Sequence, residues 1–252
     1  MSCLLVVLIF DALVARSSAA DASVGFVLDI GGTWTLDGSK LAGGDQLPAG
    51  GEIKPASADG KAFVVVCLFT GETQRYVSAT TLPQPKSDGR IERVLRGIQG
   101  HYHGQLVHAI SRGEDPADAV VQANAAGWDL KPVFGSLRAG KLTVRLTSVD
   151  KSGDTAAATR DVSIDWNPAD PKPVAIEGLG PGLYRVQLLN SRSKEPTGYA
   201  ATILVCAPEH YLEQEQGFQE VVRITQGWDA KTRQRKSGDF LRAYLEAAAG
   251  TP

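Results

Sequence analysis

The chain is poor in the residues that most often mark a reactive centre. Among 252 residues there are four histidines, three cysteines and one methionine. It has no H-E-x-x-H spacing, no G-x-S-x-G elbow, and no glycine loop closing on Gly-Lys-Ser or Gly-Lys-Thr. An excess of one charge is lacking too. The 26 basic and 28 acidic residues leave a formal net charge of −2, which supplies no general pull toward nucleic acid or an anionic membrane. No repeat of fixed period is found. What is present is ordinary globular composition, 43% hydrophobic and 21% charged. Such a chain folds, and its length suits one large domain or two small ones whose core needs no staples.

A long apolar run is missing as well. The nearest approach is "LLVVLIF", Leu4 to Phe10, which continues after Asp11 as "ALVA" and ends in "RSSAAD". It falls short of the about 20 residues a membrane span needs, and Asp11 would cost about 2.5–3.5 kcal/mol near a bilayer centre. Ser18, Ala19 and Ala20 supply the small residues a signal peptidase requires. Residues 1–20 therefore read as a secretory signal peptide cleaved near Ala20, with Ala22 as the other register; a buried first strand or helix is the alternative reading. The n-region "MSC" departs from the usual pattern in having no Lys or Arg. After cleavage no membrane-spanning segment is expected, and the protein is expected in the periplasm or outside the cell. Cys3 leaves with the leader. Cys67 and Cys206 remain, each in an apolar run, and read as buried strand thiols; a disulfide between them is open in an oxidising compartment and depends on geometry.

Residues 24–81 read as a small β domain. "VGFVLDI" and "KAFVVVCLF" are strand-like, and Asp37-Gly38 between "TWTL" and "SKL" is a hairpin turn signal. "LPQPKSDGR" reads as a linker. Residues 91–135 read as a helical connector: Leu106, Val107 and Ile110 share one face, and Asp115-Pro116 opens a second short helix through Ala119, Val120 and Ala123, ended by Gly127. Residues 136–207 return to a period of two in "KLTVRLTSV" and "TRDVSIDW", as expected of a sandwich. Residues 208–250 carry two amphipathic stripes, one on Tyr211, Phe218, Val221, Val222 and Thr225, the other on Phe240, Leu241, Tyr244, Leu245 and Ala248. "KTRQRK", Lys231 to Lys236, reads as a solvated loop between them. The fold class is thus mainly β with helices (α+β): two small antiparallel β modules, a helical connector and C-terminal amphipathic helices.

"HYHGQLVH" holds three of the four histidines, His101, His103 and His108. In one continuous helix they cannot act together: His101 and His108 share a face but lie about 10 Å apart along the axis, and His103 points elsewhere. A metal set needs His101 and His103 on one face of an extended segment, with His108 folded back from a first helical turn. "LAGGDQLPAGG" lies between strand signals and reads as turns. Trp34, Trp128, Trp166 and Trp228 sit near turns or strand ends, where the default is core edges; exposed aromatics on one face would instead make a carbohydrate platform. No catalytic residue and no cofactor site is assigned.

The run from Gly32 to Tyr76, with Gly32, Gly44-Asp45-Gln46-Leu47, Gly50, Gly51, Ile53 and Gly71, resembles the FecR-like domains of bacterial envelope proteins. The resemblance covers about a fifth of the chain. It implies a small envelope β module that contacts other proteins; the membrane helix and sigma-regulating segment of that family have no counterpart here. "GLGPGLYRVQLL" looks like the Gly-x-Tyr strand of immunoglobulin-like or transthyretin-like sandwiches. The reading that follows is a non-catalytic secreted or periplasmic envelope protein whose partner is an unidentified envelope protein or ligand, bound at a sheet edge or between modules. Its rivals are a metal-binding protein or metal-dependent enzyme using His101 and His103, and a carbohydrate-binding module using exposed aromatics.

Overall fold

The computed structural model describes residues 23–57, 60–83, 89–102, 119–123, 127–149, 158–174, 176 and 179–250. The expected signal segment, residues 84 to 88 of the expected linker, His103, His108 and the expected helix over Leu106–Ile110 lie outside them. The fold is α+β, as the alternation of periods predicts. Two compact units divide the chain, Met1–Gln105 and Leu106–Pro252.

Among the described residues the first unit holds eight strands: β1 (Ser23–Gly31), β2 (Trp34–Leu36), β3 (Ser39–Lys40), β4 (Gln46–Pro48), β5 (Glu52–Pro55), β6 (Phe63–Leu68), β7 (Thr73–Tyr76) and β8 (Thr80–Thr81). They form two four-stranded sheets, β4-β1-β6-β7 and β3-β2-β5-β8. Asp37 and Gly38, with φ of 49° and 88°, make the β2–β3 turn, the left-handed pair that a two-residue hairpin requires. The Asp37 carboxylate accepts the Glu52 amide at 3.1 Å and ties the turn to β5. β6 has no polar face. Val64, Val66 and Leu68 enter a core with Trp34, Leu47 and Ile53, while Val65 and Cys67 on its other side are also buried. An apolar run without alternation is what a strand covered on both faces looks like.

Helix α1 (Gly89–His101) is tied to the first sheet by polar and aromatic contacts. Leu95 and Ile98 are its buried residues. The Tyr102 hydroxyl, one residue past its end, donates to the Leu28 carbonyl at 2.6 Å, and its ring lies 5.8 Å from that of Phe26. Arg96 donates to the Ser23 hydroxyl at 3.0 Å and lies over the Phe69 ring at 4.4 Å.

The second unit is built on one five-stranded sheet, with the order β11-β10-β12-β13-β9. Its strands are β9 (Ala119–Ala123), β10 (Gly140–Ser148), β11 (Thr159–Trp166), β12 (Gly182–Leu189) and β13 (Pro196–Cys206). Val144, Leu146, Ile164, Trp166, Tyr184, Val186, Ile203 and Val205 project from one face into a core closed by Trp128, Leu130, and Val133 and Phe134 of the single-turn helix α2 (Lys131–Phe134). Helices α3 (Pro208–Gln226) and α4 (Ala230–Gly250) pack on β13 and β9, and α4 also on β12.

Three expectations are corrected. Residues 91–135 are no separate helical connector: α1 belongs to the first unit, and β9 and α2 to the second. Ala119, Val120 and Ala123 form a strand, paired parallel to β13 from Thr202↔Ala119 to Cys206↔Ala123; the β-branched pair Val120-Val121 favours the strand, and its partner lies far downstream. Over 136–207 the described strands β10 to β13 all belong to one sheet. "KTRQRK" is likewise helix. Asp229 caps α4 by accepting the Lys231 and Thr232 amides, each at 3.1 Å, and Thr232 and Lys236 are buried.

The two terminal helices approach closely at Gly217 in α3. A Cβ there would collide with the Tyr244 hydroxyl, which donates to the Gln214 carbonyl at 2.8 Å. Gly217→Ala is expected to lower the stability of the second unit by about 1–3 kcal/mol. Gly100→Ala, on the open side of α1 with no atom within 4 Å of the added carbon, is expected to stabilise the first unit by up to about 1 kcal/mol. Denaturant unfolding measures both.

Candidate functional site

Of the three clustered histidines, His101 alone lies among the described residues. His101 is the last residue of α1, so the extended geometry needed for a His101-x-His103 pair is not met at His101. Its exposed ring places Nδ1 3.1 Å from the Gly97 carbonyl, one turn back. His103 and His108 lie outside the described residues. Among the described residues no three His, Cys, Asp or Glu side chains gather into a metal-holding group.

The thiols are buried and unpaired. Cys67 and Cys206 are both free. Burial pushes Cys67 up to about 12 and Cys206 up to about 11, the reverse of the activation a nucleophilic cysteine needs. Cys206 ends β13, close to two tyrosines of the helical pair. Tyr211 is pushed up to about 12, chiefly by its hydrogen bond to the Glu215 carboxylate, and Tyr244 is raised chiefly by burial. All three groups keep their protons at neutral pH.

All four indoles are buried, at 0% to 4% exposure. Trp128 packs against Tyr184 with ring centroids 5.0 Å apart, Trp166 edge-on to Phe134 at 6.1 Å and Trp228 edge-on to Phe240 at 4.9 Å. They are core residues, and the tryptophans supply no exposed platform for a sugar ring. The glycine-rich segment before β5 is a pair of turns around β4: Gly44 and Gly50 have φ of 87° and 72°, and the Asp45 carboxylate accepts the Ala42 amide at 2.7 Å.

The surface that the chain does present is at the β11 edge of the second sheet. Ser148 donates its amide to the Ala158 carbonyl at 3.0 Å, and Val149 donates to Leu183 at 2.8 Å on the other side of β10. Bonded and non-bonded pairs alternate along antiparallel strands. With the register Thr147↔Thr159 to Gly140↔Trp166, Arg160, Val162 and Ile164 therefore turn their backbone groups to β10. Asp161, Ser163 and Asp165 turn theirs outward. The side chains of these three residues are exposed and lie on the face away from the core of Val144, Ile164 and Trp166.

That face carries a bidentate ion pair between neighbouring strands. Arg145 Nε reaches Asp161 Oδ1 at 2.8 Å, and its Nη2 reaches Oδ2 at 2.9 Å. The hydrogen bonds from Arg145 hold the Asp161 carboxyl below the usual carboxylate range. A carboxyl depressed in the folded state adds stability above its unfolded value, and that contribution fades as pH falls through the lowered one. Exposure of the pair keeps the contribution small. The sequence shows the alternation in "TRDVSIDW"; that this strand lies outermost is a matter of pairing order, which no local pattern carries.

Comparison with known proteins adds no relative: no protein-family model, no curated protein and no solved structure matches the chain.

The thiol geometry gives a direct expectation. In the folded protein at neutral pH neither Cys67 nor Cys206 reacts with a soluble aromatic disulfide reagent over minutes, and both react once denaturant is added. Fast labelling of either thiol in the native protein would contradict the burial described.

Proposed function

We propose that this chain is a non-catalytic protein of the bacterial cell envelope, secreted or periplasmic, that binds a protein partner through the β11 edge of its five-stranded sheet. The observation that carries the proposal is the outward set of backbone groups at Asp161, Ser163 and Asp165, on a strand of eight residues, about 27 Å long at 3.4 Å per residue. An extended segment adding there gains main-chain hydrogen bonds, and alternate side chains set specificity. The exposed charges of Arg160, Asp161 and Asp165 disfavour indiscriminate edge-to-edge pairing, so a partner must match them. The envelope location draws support from the leader-like N-terminus and from the likeness of the first unit to FecR-like domains.

Proline tests this edge selectively. At Ser163 it removes an outward N–H and leaves the bonds to β10 in place. Ser163→Pro is expected to fold as wild type by circular dichroism. Its capture of the partner recovered from an envelope fraction is expected to fall about tenfold, the equivalent of about 1.4 kcal/mol. A folded Ser163→Pro variant that captures the partner as well as wild type would remove the edge from the account.

A further inference from the structure

The two acidic side chains of the β11 edge differ in how their charge is met. Asp161 is compensated, because both its carboxylate oxygens are bonded to Arg145 on β10. Asp165 stands further along the same face and is not. Lys141 lies opposite it in the β10 register but makes no ion pair with it. Among the described residues the exposed Asp165 carboxylate has neither a hydrogen bond nor an ion pair. Ser163, between the two acids, is exposed and uncharged.

A strand added at this edge bonds to the outward backbone groups of Asp161, Ser163 and Asp165. The side chain opposite each of them then stands beside it on the same face. The new strand takes water from one side of the Asp165 carboxylate. An opposite charge at the facing position offsets that loss, and a like charge adds to it. Opposite Asp161 there is no such demand, since Arg145 already occupies the carboxylate. The other face of the added strand lies beside Val162 and Ile164. Val162 is half-buried and packs at the margin of the core, so apolar side chains opposite these two residues extend that core outward. A second copy of β11 supplies the wrong pattern. Antiparallel pairing centred on Ser163 would set Asp165 of each strand against Asp161 of the other, acid against acid.

We infer that the β11 edge selects an extended protein segment with Lys or Arg opposite Asp165 and apolar side chains opposite Val162 and Ile164, and that Asp165 sets the choice of charge. The inference rests on the edge reading proposed above and adds the chemistry of the partner. Two capped peptides test it, Thr-Val-Thr-Val-Lys-Val-Thr-Val-Thr and the same sequence with Glu in place of Lys. Either strand direction can bring the charged residue opposite Asp165 with valines on the core side. Each is titrated into the folded protein, and the amide resonances of Ser163 and Asp165 are followed. The Lys peptide is expected to shift these amides with a dissociation constant about fivefold lower than that of the Glu peptide. Added salt should narrow the difference. Asp165→Asn should remove the preference, and Asp165→Lys should reverse it. Equal binding, or tighter binding of the Glu peptide, overturns the inference and leaves the edge reading standing. So does a preference for Lys that survives in a folded Asp165→Asn variant. If neither peptide shifts the two amides, the inference and the edge reading both fall.

Discussion

A strand's outer backbone groups must be paired, covered or left to water, and the two edges of the five-stranded sheet meet that constraint differently. At one edge β9 is buried from Ala119 to Gln122, pairs parallel to β13 and lies against α3 and α4. At the other edge β11 alternates charged and hydroxyl side chains outward and turns the amides of Asp161, Ser163 and Asp165 away from the sheet. The helical pair packs on β9, β12 and β13, so the β11 side keeps its polar face. The asymmetry follows from where the chain places its apolar residues. Val120 and Val121 sit in a strand covered on both faces; β11 gives its core face Val162, Ile164 and Trp166 and nothing apolar to the other.

The first unit rests on a different device. Its strands are short, and several carry only two or three residues, so pairing alone holds little. Stability comes from β6, apolar on both faces, and from α1, which adds the Tyr102–Leu28 hydrogen bond and the Arg96 contacts at Ser23. Arg96 combines hydrogen bonds to Ser23, an ion pair with Glu92 and a cation–π contact with Phe69. That arrangement ties the start of β1 to α1.

Much of the architecture is legible in the amino-acid pattern, and the departures have physical causes. The Asp37-Gly38 turn, the two-residue period of β10 and β11 and the amphipathic stripes of α3 and α4 are local features, written in neighbouring residues. In the helical pair Phe218 meets Tyr244 with ring centroids 6.1 Å apart, and Val221, Ile224, Phe240 and Leu241 are buried. β9 is not local: Ala-Val-Val-Gln-Ala has no decisive period, and only the distant β13 makes it a strand. "KTRQRK" shows how charge misleads, since a cap from Asp229 and the long stems of lysine and arginine let such a run begin a helix. The helix continues through His101, so that residue lacks the extended backbone a His101-x-His103 pair needs. The β11 edge lies beyond local reading, because edge position belongs to the order of pairing.

Amide hydrogen exchange along β11 tests the central claim most directly. In the free protein, Val162 and Ile164 should be protected by β10, while Asp161, Ser163 and Asp165 should exchange near the rate of unstructured amides and become protected only when a partner strand is bound. Slow exchange at all five positions in the free protein would mean that the edge is already paired or covered, and would contradict the account.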